Sequence, residues 1–168
     1  MSVILAGTGH RPDKLGGYAP KAKGLLVQCA TAALIRLKPD IVITGMALGW
    51  DLALAQASAD LGIPYWAYIP FRGQEGKWPE SSQDEYRMLL AMASRIKECC
   101  EPGYAAYKMQ VRNKMMMDDA HQILALWNRI KEPGSGTWNA LKYVEEKAPK
   151  PVWNEWDNWQ ALAKGVLF

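Results

Sequence analysis

Four short stretches of this 168-residue chain combine residue types suited to holding an anion. The first, Gly7-Thr8-Gly9-His10-Arg11-Pro12, follows an apolar run. Glycines let the backbone turn sharply and let amides approach an anion unshielded, while Thr8 and Arg11, with His10 between them, offer hydrogen bonds to phosphate oxygens. The stretch lacks the full GxGxxG spacing of a dinucleotide loop. In isolation, a tight turn with a solvated His-Arg pair explains it equally well.

The second stretch, Thr44-Gly45-Met46-Ala47-Leu48-Gly49-Trp50-Asp51, stands at another expected strand end and opens a helix. Asp51 reads either as a carboxylate capping that helix or as a group that holds a ribose hydroxyl or orients a base. In the third, Glu132-Pro133-Gly134-Ser135-Gly136-Thr137-Trp138-Asn139, the free amides of an expected helix N-terminus meet the hydroxyls of Ser135 and Thr137. That is a more specific anion seat than the first, set against the alternative of a glycine turn with a capping hydroxyl. In the fourth, Tyr107 to Asp119, Lys108 and Arg112 share a helical face at i and i+4, and Met115 and Met116 suit core packing. Arg112 by itself reads as a solvated helix charge, and it is the four motifs taken together that argue for a ligand instead.

These stretches need a frame. Short runs rich in Val, Ile and aromatics alternate with longer segments of helical period, the pattern of βα units around a mostly parallel sheet. Strands are expected at Val3 to Gly7, Ile41 to Thr44, Tyr65 to Ile69, Arg95 to Cys99, Gln122 to Trp127 and Pro151 to Glu155. Helices are expected at Leu25 to Leu37, Leu52 to Leu61 and Asp84 to Ala93, with stops at Pro39-Asp40 and Gly62-Ile63-Pro64. Pro70 to Pro79 reads as a loop, and no internal repeat or linker divides the chain. The expectation is one Rossmann-like α/β domain, a three-layer sandwich.

An apolar share of 49% against 22% charged residues excludes disorder. The net charge of +3 suits an anionic small molecule and falls short of the dense basic surface of a nucleic-acid protein, so nucleic acid is not the expected partner. Cys29, Cys99 and Cys100 form no metal pattern and an odd count, which suggests a reducing compartment. With no basic leader and no apolar run long enough to span a bilayer, a cytoplasmic location away from the membrane is expected. No metal or cofactor is called for. Most of the eight tryptophans suit the core, and the stretch Trp153 to Trp159 suits a subunit contact in a homo-oligomer or a covering lid.

Taken in order, the motifs resemble the SLOG superfamily of Rossmann-like nucleotide-binding proteins, and more closely its YpsA-like branch, which also occurs in phage genomes. The resembling residues are Thr8 to Pro12 with Lys14 to Tyr18, Gly45 to Asp51, Ile69-Pro70-Phe71 with Gln74 and Trp78-Pro79, Lys108 to Asn113, and Gly134 to Thr137. They span the chain up to about Lys147. The superfamily includes LOG-type phosphoribohydrolases, whose arginine-bearing helix resembles the one with Arg112 and whose phosphate loop resembles Pro133 to Asn139. Asn139 and Ala140 occupy the stretch where a LOG enzyme has its glutamate, and neither side chain can replace a carboxylate electrostatically or as a base.

Three functions follow from the resemblance. The first is binding of an ADP-ribose-like, NAD-derived or related nucleotide, as a sensor or sequestering protein in phage-bacteria conflict. Its phosphates would lie on Gly7, Thr8 and Gly9 and on Gly134 to Thr137. Arg11 and Arg112 would offset their charge, with Trp50, Phe71 or Trp78 near a base. The second is cleavage of a nucleotide's glycosidic bond, with Arg112 placing the phosphate and Asp51 or Asp118 supplying the carboxylate. The third, resembling the DprA branch, is DNA binding, which the mild charge disfavours.

Overall fold

Strand residues alternate between two apolar environments, as a sheet covered on both faces requires. Leu5, Val42, Leu124 and Leu126 join one buried cluster, while Ala6, Ile43, Ile123 and Ala125 join the other. The computed structural model describes residues 2–167. Its six strands are β1 (Ile4–Gly9), β2 (Ile41–Thr44), β3 (Tyr65–Ile69), β4 (Arg95–Glu98), β5 (Gln122–Leu126) and β6 (Val152–Asn154). They form one sheet in the order β4-β3-β2-β1-β5-β6, every ladder parallel.

Six helices complete three layers: α1 (Pro20–Leu37), α2 (Trp50–Leu61), α3 (Glu80–Met92), α4 (Ala106–Asp119), α5 (Gly136–Lys147) and α6 (Trp156–Lys164). The first three and α6 contribute to the Leu5 cluster, and α4 and α5 to the Ala6 cluster. The Rossmann-like three-layer architecture expected from the alternation is therefore what forms. The helices on the second face leave β3 and β4 partly uncovered there. Arg95 lies 5.0 Å over the Trp66 ring and Lys97 5.1 Å over Tyr68, cations shielding aromatic surface in place of a helix.

Two local expectations near the site change. Helix α1 begins at Pro20, ahead of Leu25, because proline at the first helical position is pre-organised and gives up no needed N–H. Strand β1 runs on to Gly9, so Gly7-Thr8-Gly9 is extended backbone, paired through Thr8 with Ala125 and Gly9 with Leu126. The turn starts at His10 instead.

The Trp-rich C-terminal stretch is divided, with Trp153 exposed and the later tryptophans packed on the domain. Trp159 is buried, Trp156 meets the His10 ring edge-on at 5.8 Å, and α6 packs on α1 with an Arg36–Glu155 ion pair beside it. No helix among the described residues is long and apolar enough to cross a membrane.

Candidate functional site

The strand order reverses between β1 and β5, so the chain leaves their C-terminal ends in opposite directions and opens a crevice, the usual ligand position in such sheets. A cavity of about 780 Å³ occupies it. One wall is Gly7 to Arg11, with Asp13 and Lys14 of the short 3-10 helix that follows. Opposite stands Glu132 to Thr137, the approach to α5. Ala47, Asp51 and Arg112 form the floor, and Tyr104, Tyr107, Gln110 and Asn113 are part of the third side.

Arg112 is buried. Its Nη1 donates to the carbonyls of Gly45 and Tyr68 and its Nε to Asn113 Oδ1, whereas Nη2 meets no protein acceptor among the described residues. The guanidinium is held by backbone and keeps a free edge in the cavity. Asp51 is equally buried, and its Oδ2 accepts from the Ala47 amide at 3.3 Å. Burial pushes its carboxyl up to about 6, against the opposing pull of Arg112, the Ala47 amide and Arg11. Burial also lowers the Arg112 pKa, with Asp51 opposing the shift. Both groups crowd one point: a Cβ on Gly45 would lie 2.5 Å from Arg112 Nη1 and 2.8 Å from Asp51 Oδ2. Glycine is required there by the protein's own charges.

Gly7 and Gly9 are explained by packing too. A Cβ on Gly7 would fall on the Leu54 side chain, and one on Gly9 would lie 2.5–2.6 Å from Trp50. Gly49 has φ +90°, and a Cβ on it would lie 2.5 Å from the His10 carbonyl oxygen, which accepts from the Trp50 amide. These glycines let α2 approach β1 closely. His10 is buried, and its Nε2 accepts from the Asn128 amide at 3.0 Å, so the neutral ring ties the end of β1 to the segment after β5. Burial lowers its pKa, which keeps it neutral.

The α5 entrance is different. Ser135 caps the helix, its Oγ accepting from the Trp138 amide at 3.3 Å. That bond leaves the Gly136 and Thr137 amides at the positive end of the helix. A Cβ at Gly134 or Gly136 would meet nothing within 4 Å, and Gly134 needs glycine only for its φ of +84°. Lys14 and Glu132 pair across the mouth, and the lysine lowers the Glu132 pKa. Exposed Arg11 has no ion-pair partner among the described residues.

Several expected site residues stand elsewhere. Trp50 is fully buried under β1 with Nε1 bonded to the Leu124 carbonyl; Phe71 packs edge-on to Tyr104; Trp78 packs on Tyr86. None of these three lines the cavity. Asp118 is exposed and accepts from the Tyr143 hydroxyl, and Asn139 also lies outside the lining. Gly45 and Gly49 act behind the floor, through the contacts described above. Lys108, on the Arg112 face of α4, turns instead to the carbonyls of Glu101 and Gly103. Of the lining residues, Tyr104 was not singled out by the sequence, and Tyr107, Gln110 and Lys14 stood within its motifs without a role at the site. The three-residue spacing of Tyr107, Gln110 and Asn113 was the one available signal. Among the described residues no group of three or more His, Cys, Asp or Glu is placed to hold a metal.

Sheet order and cavity define a Rossmann-like domain with an anion-suited crevice at its topological switch point. The chain belongs to the YspA SLOG family, whose YpsA family model matches residues 5–153. A UPF0398 protein of Bacillus licheniformis is 25% identical over 163 residues, covering 89% of this chain and 88% of that protein. Among solved structures, DNA processing protein A (DprA) of Streptococcus pneumoniae is similar with a TM-score of 0.62 at 12% identity. The match takes in 98% of this chain but 57% of the DprA chain. DprA of Helicobacter pylori, described for its single-stranded DNA binding mode, gives 0.59 at 14% identity, over 98% of this chain and 73% of that one. At such identities the likeness is one of fold.

Proposed function

We propose that the protein binds a nucleotide-type small molecule, with its phosphates at the Gly134 to Thr137 entrance of α5 and its charge offset by Arg11 and Arg112. The observation that carries this is the convergence of the open α5 N-terminus and the free edge of buried Arg112 on one cavity of about 780 Å³. That volume is within the roughly 300–1,000 Å³ of small-molecule sites. ADP-ribose, its cyclic isomers, NAD and nucleoside monophosphates are the ligands to try. A sensing or sequestering role in phage-bacteria conflict would follow from an NAD-derived one. Calorimetry against that panel is expected to give saturable heat with at least one member; silence with all of them would sink the proposal.

A second reading, cleavage of the nucleotide's glycosidic bond, is favoured by Asp51, whose buried carboxyl near 6 is in the range of a proton-transfer group and faces the same cavity. It predicts release of free base or nicotinamide by chromatography, and an unchanged panel after long incubation at high protein concentration counts against it. The charge argument against nucleic acid gains no support from the DprA folds. A gel shift with single-stranded DNA across a salt series tests that partner, with salt-dependent binding as its signature. Self-association, expected from the sequence, is checked by light scattering.

A further inference from the structure

The third side of the cavity carries side chains that phosphate binding does not use. Tyr104 and Tyr107 are 73% and 63% exposed, more than any other large apolar side chain among the described residues, and both line the cavity. Other aromatic rings, including Trp50, Tyr68, Tyr86 and Phe71, are withdrawn into the protein.

Tyr104 is not simply on a slack loop. Buried Lys108 reaches back to the carbonyls of Glu101 at 2.9 Å and Gly103 at 2.7 Å and lies 5.7 Å over Phe71, against which the Tyr104 ring rests edge-on at 6.1 Å. Burying an ammonium group is costly, and here it fixes the segment that presents Tyr104 to solvent. Along α4, Tyr107, Gln110 and Asn113 recur every three residues on the cavity side. Gln110 makes no hydrogen bond among the described residues, and Asn113, engaged with Arg112 through Oδ1, keeps its amide hydrogens free. Two exposed rings, one of them held against Phe71, beside two unspent amides fit a planar group with a polar edge.

We infer that this side is a nucleobase subsite. Tyr104 and Tyr107 stack on the heterocycle and the amides of Gln110 and Asn113 hydrogen-bond its edge, while the phosphates lie across the cavity at α5. The inference rests on the nucleotide reading above and fixes the direction in which the ligand lies. Stacking on an aromatic side chain contributes roughly 5- to 100-fold in affinity per base, so its removal is measurable.

The test is calorimetry of the wild type, Tyr104→Leu/Tyr107→Leu and Tyr104→Phe/Tyr107→Phe with AMP, ADP-ribose and base-free ribose 5-phosphate. The leucine pair is expected to lose about 10- to 100-fold in affinity for the tighter-binding nucleotide and to keep ribose 5-phosphate within about twofold. The phenylalanine pair, which retains the rings, is expected to bind like the wild type, and all three proteins to melt together because the side chains are exposed. Unchanged nucleotide affinity in the leucine pair, or an equal loss for ribose 5-phosphate, overturns the inference. Wild-type protein that binds ribose 5-phosphate as tightly as the nucleotides overturns the base subsite and leaves the phosphate proposal standing. Wild-type protein that binds none of the three overturns the base subsite, and silence with NAD and the cyclic isomers as well overturns the phosphate proposal with it.

Discussion

The two glycine-rich walls of the cavity have the same composition and different reasons for it. On the β1 and β2 side, a Cβ at Gly7, Gly9, Gly45 or Gly49 would strike Leu54, Trp50, the Arg112 and Asp51 side chains, or the His10 carbonyl. On the α5 side, a Cβ at Gly134 or Gly136 would meet nothing within 4 Å. The first wall is filled by the protein itself, and its glycines serve helix-to-strand contact and the room taken by two buried charged side chains. The second is open, and whatever uses its space comes from outside. A glycine motif therefore marks a close approach, and only the surroundings say of what.

Substitutions can break or sharpen that contrast. The largest effect is expected from Arg112→Met, which removes the guanidinium that offsets the buried Asp51 carboxyl and the charged donor to the Gly45 and Tyr68 carbonyls. A loss of about 2–4 kcal/mol in denaturant unfolding is expected. A variant as stable as the wild type would mean that the floor of the cavity is not built around this guanidinium.

Next comes the pH dependence that the same floor implies. Asp51 rises from 3.8 in the open chain to about 6 in the fold, so the folded protein takes up its proton first. Its contribution is fully present below about pH 4 and is lost as pH rises through 6, a change of up to about 3 kcal/mol. His10 acts in the opposite sense. Its lowered pKa gives stability that is present above its ordinary 6.5 and lost as pH falls. Denaturation midpoints between pH 4 and 7 are expected to fall more steeply on acidification in Asp51→Asn than in the wild type, and less steeply in His10→Asn. Parallel curves for all three would rule out both groups as the source.

Gly9→Ala, which drives a methyl group into the buried Trp50 ring, is expected to cost roughly 1–3 kcal/mol, or about 2–4 °C in Tm per kcal/mol. Gly136→Ala is the matched control and is expected to stay within about 0.5 kcal/mol of the wild type, because its methyl points into open space. Equal losses at the two positions would erase the distinction between the walls.

Much of the frame was legible in the chain. All six expected strands form, some with ends moved by a residue or two, because runs such as Ile41 to Thr44 and Tyr65 to Ile69 carry the apolar pattern of strands buried on both faces. Gly62 ends α2 in the left-handed conformation its position predicted. Helix α6 was missed. Its residues Trp156 to Lys164 hold polar side chains among the tryptophans, and only the docking of Trp159 and Ala163 into the α1 side defines the buried face.

At the cavity, Asp51 and the α5 entrance were read from residue type and position at strand ends, and Arg112 from the resemblance of the four motifs taken together. The aromatic side was not. Trp50, Phe71 and Trp78 are the larger or nearer rings by sequence, yet each is spent on packing, while Tyr104 stands in the segment between β4 and α4 and Tyr107 in the first turn of α4.

By itself the sequence determined a doubly covered parallel sheet, the glycine-rich strand ends and the charges beside them, since periodicity and turn chemistry act between residues near one another in the chain. The tertiary structure decided which glycines are filled and which are open, which ring is buried and which is offered, and that Arg112 meets Gly45 across 67 positions of chain. Those are questions of close approach between elements remote in sequence, and local pattern carries no record of the distances between them.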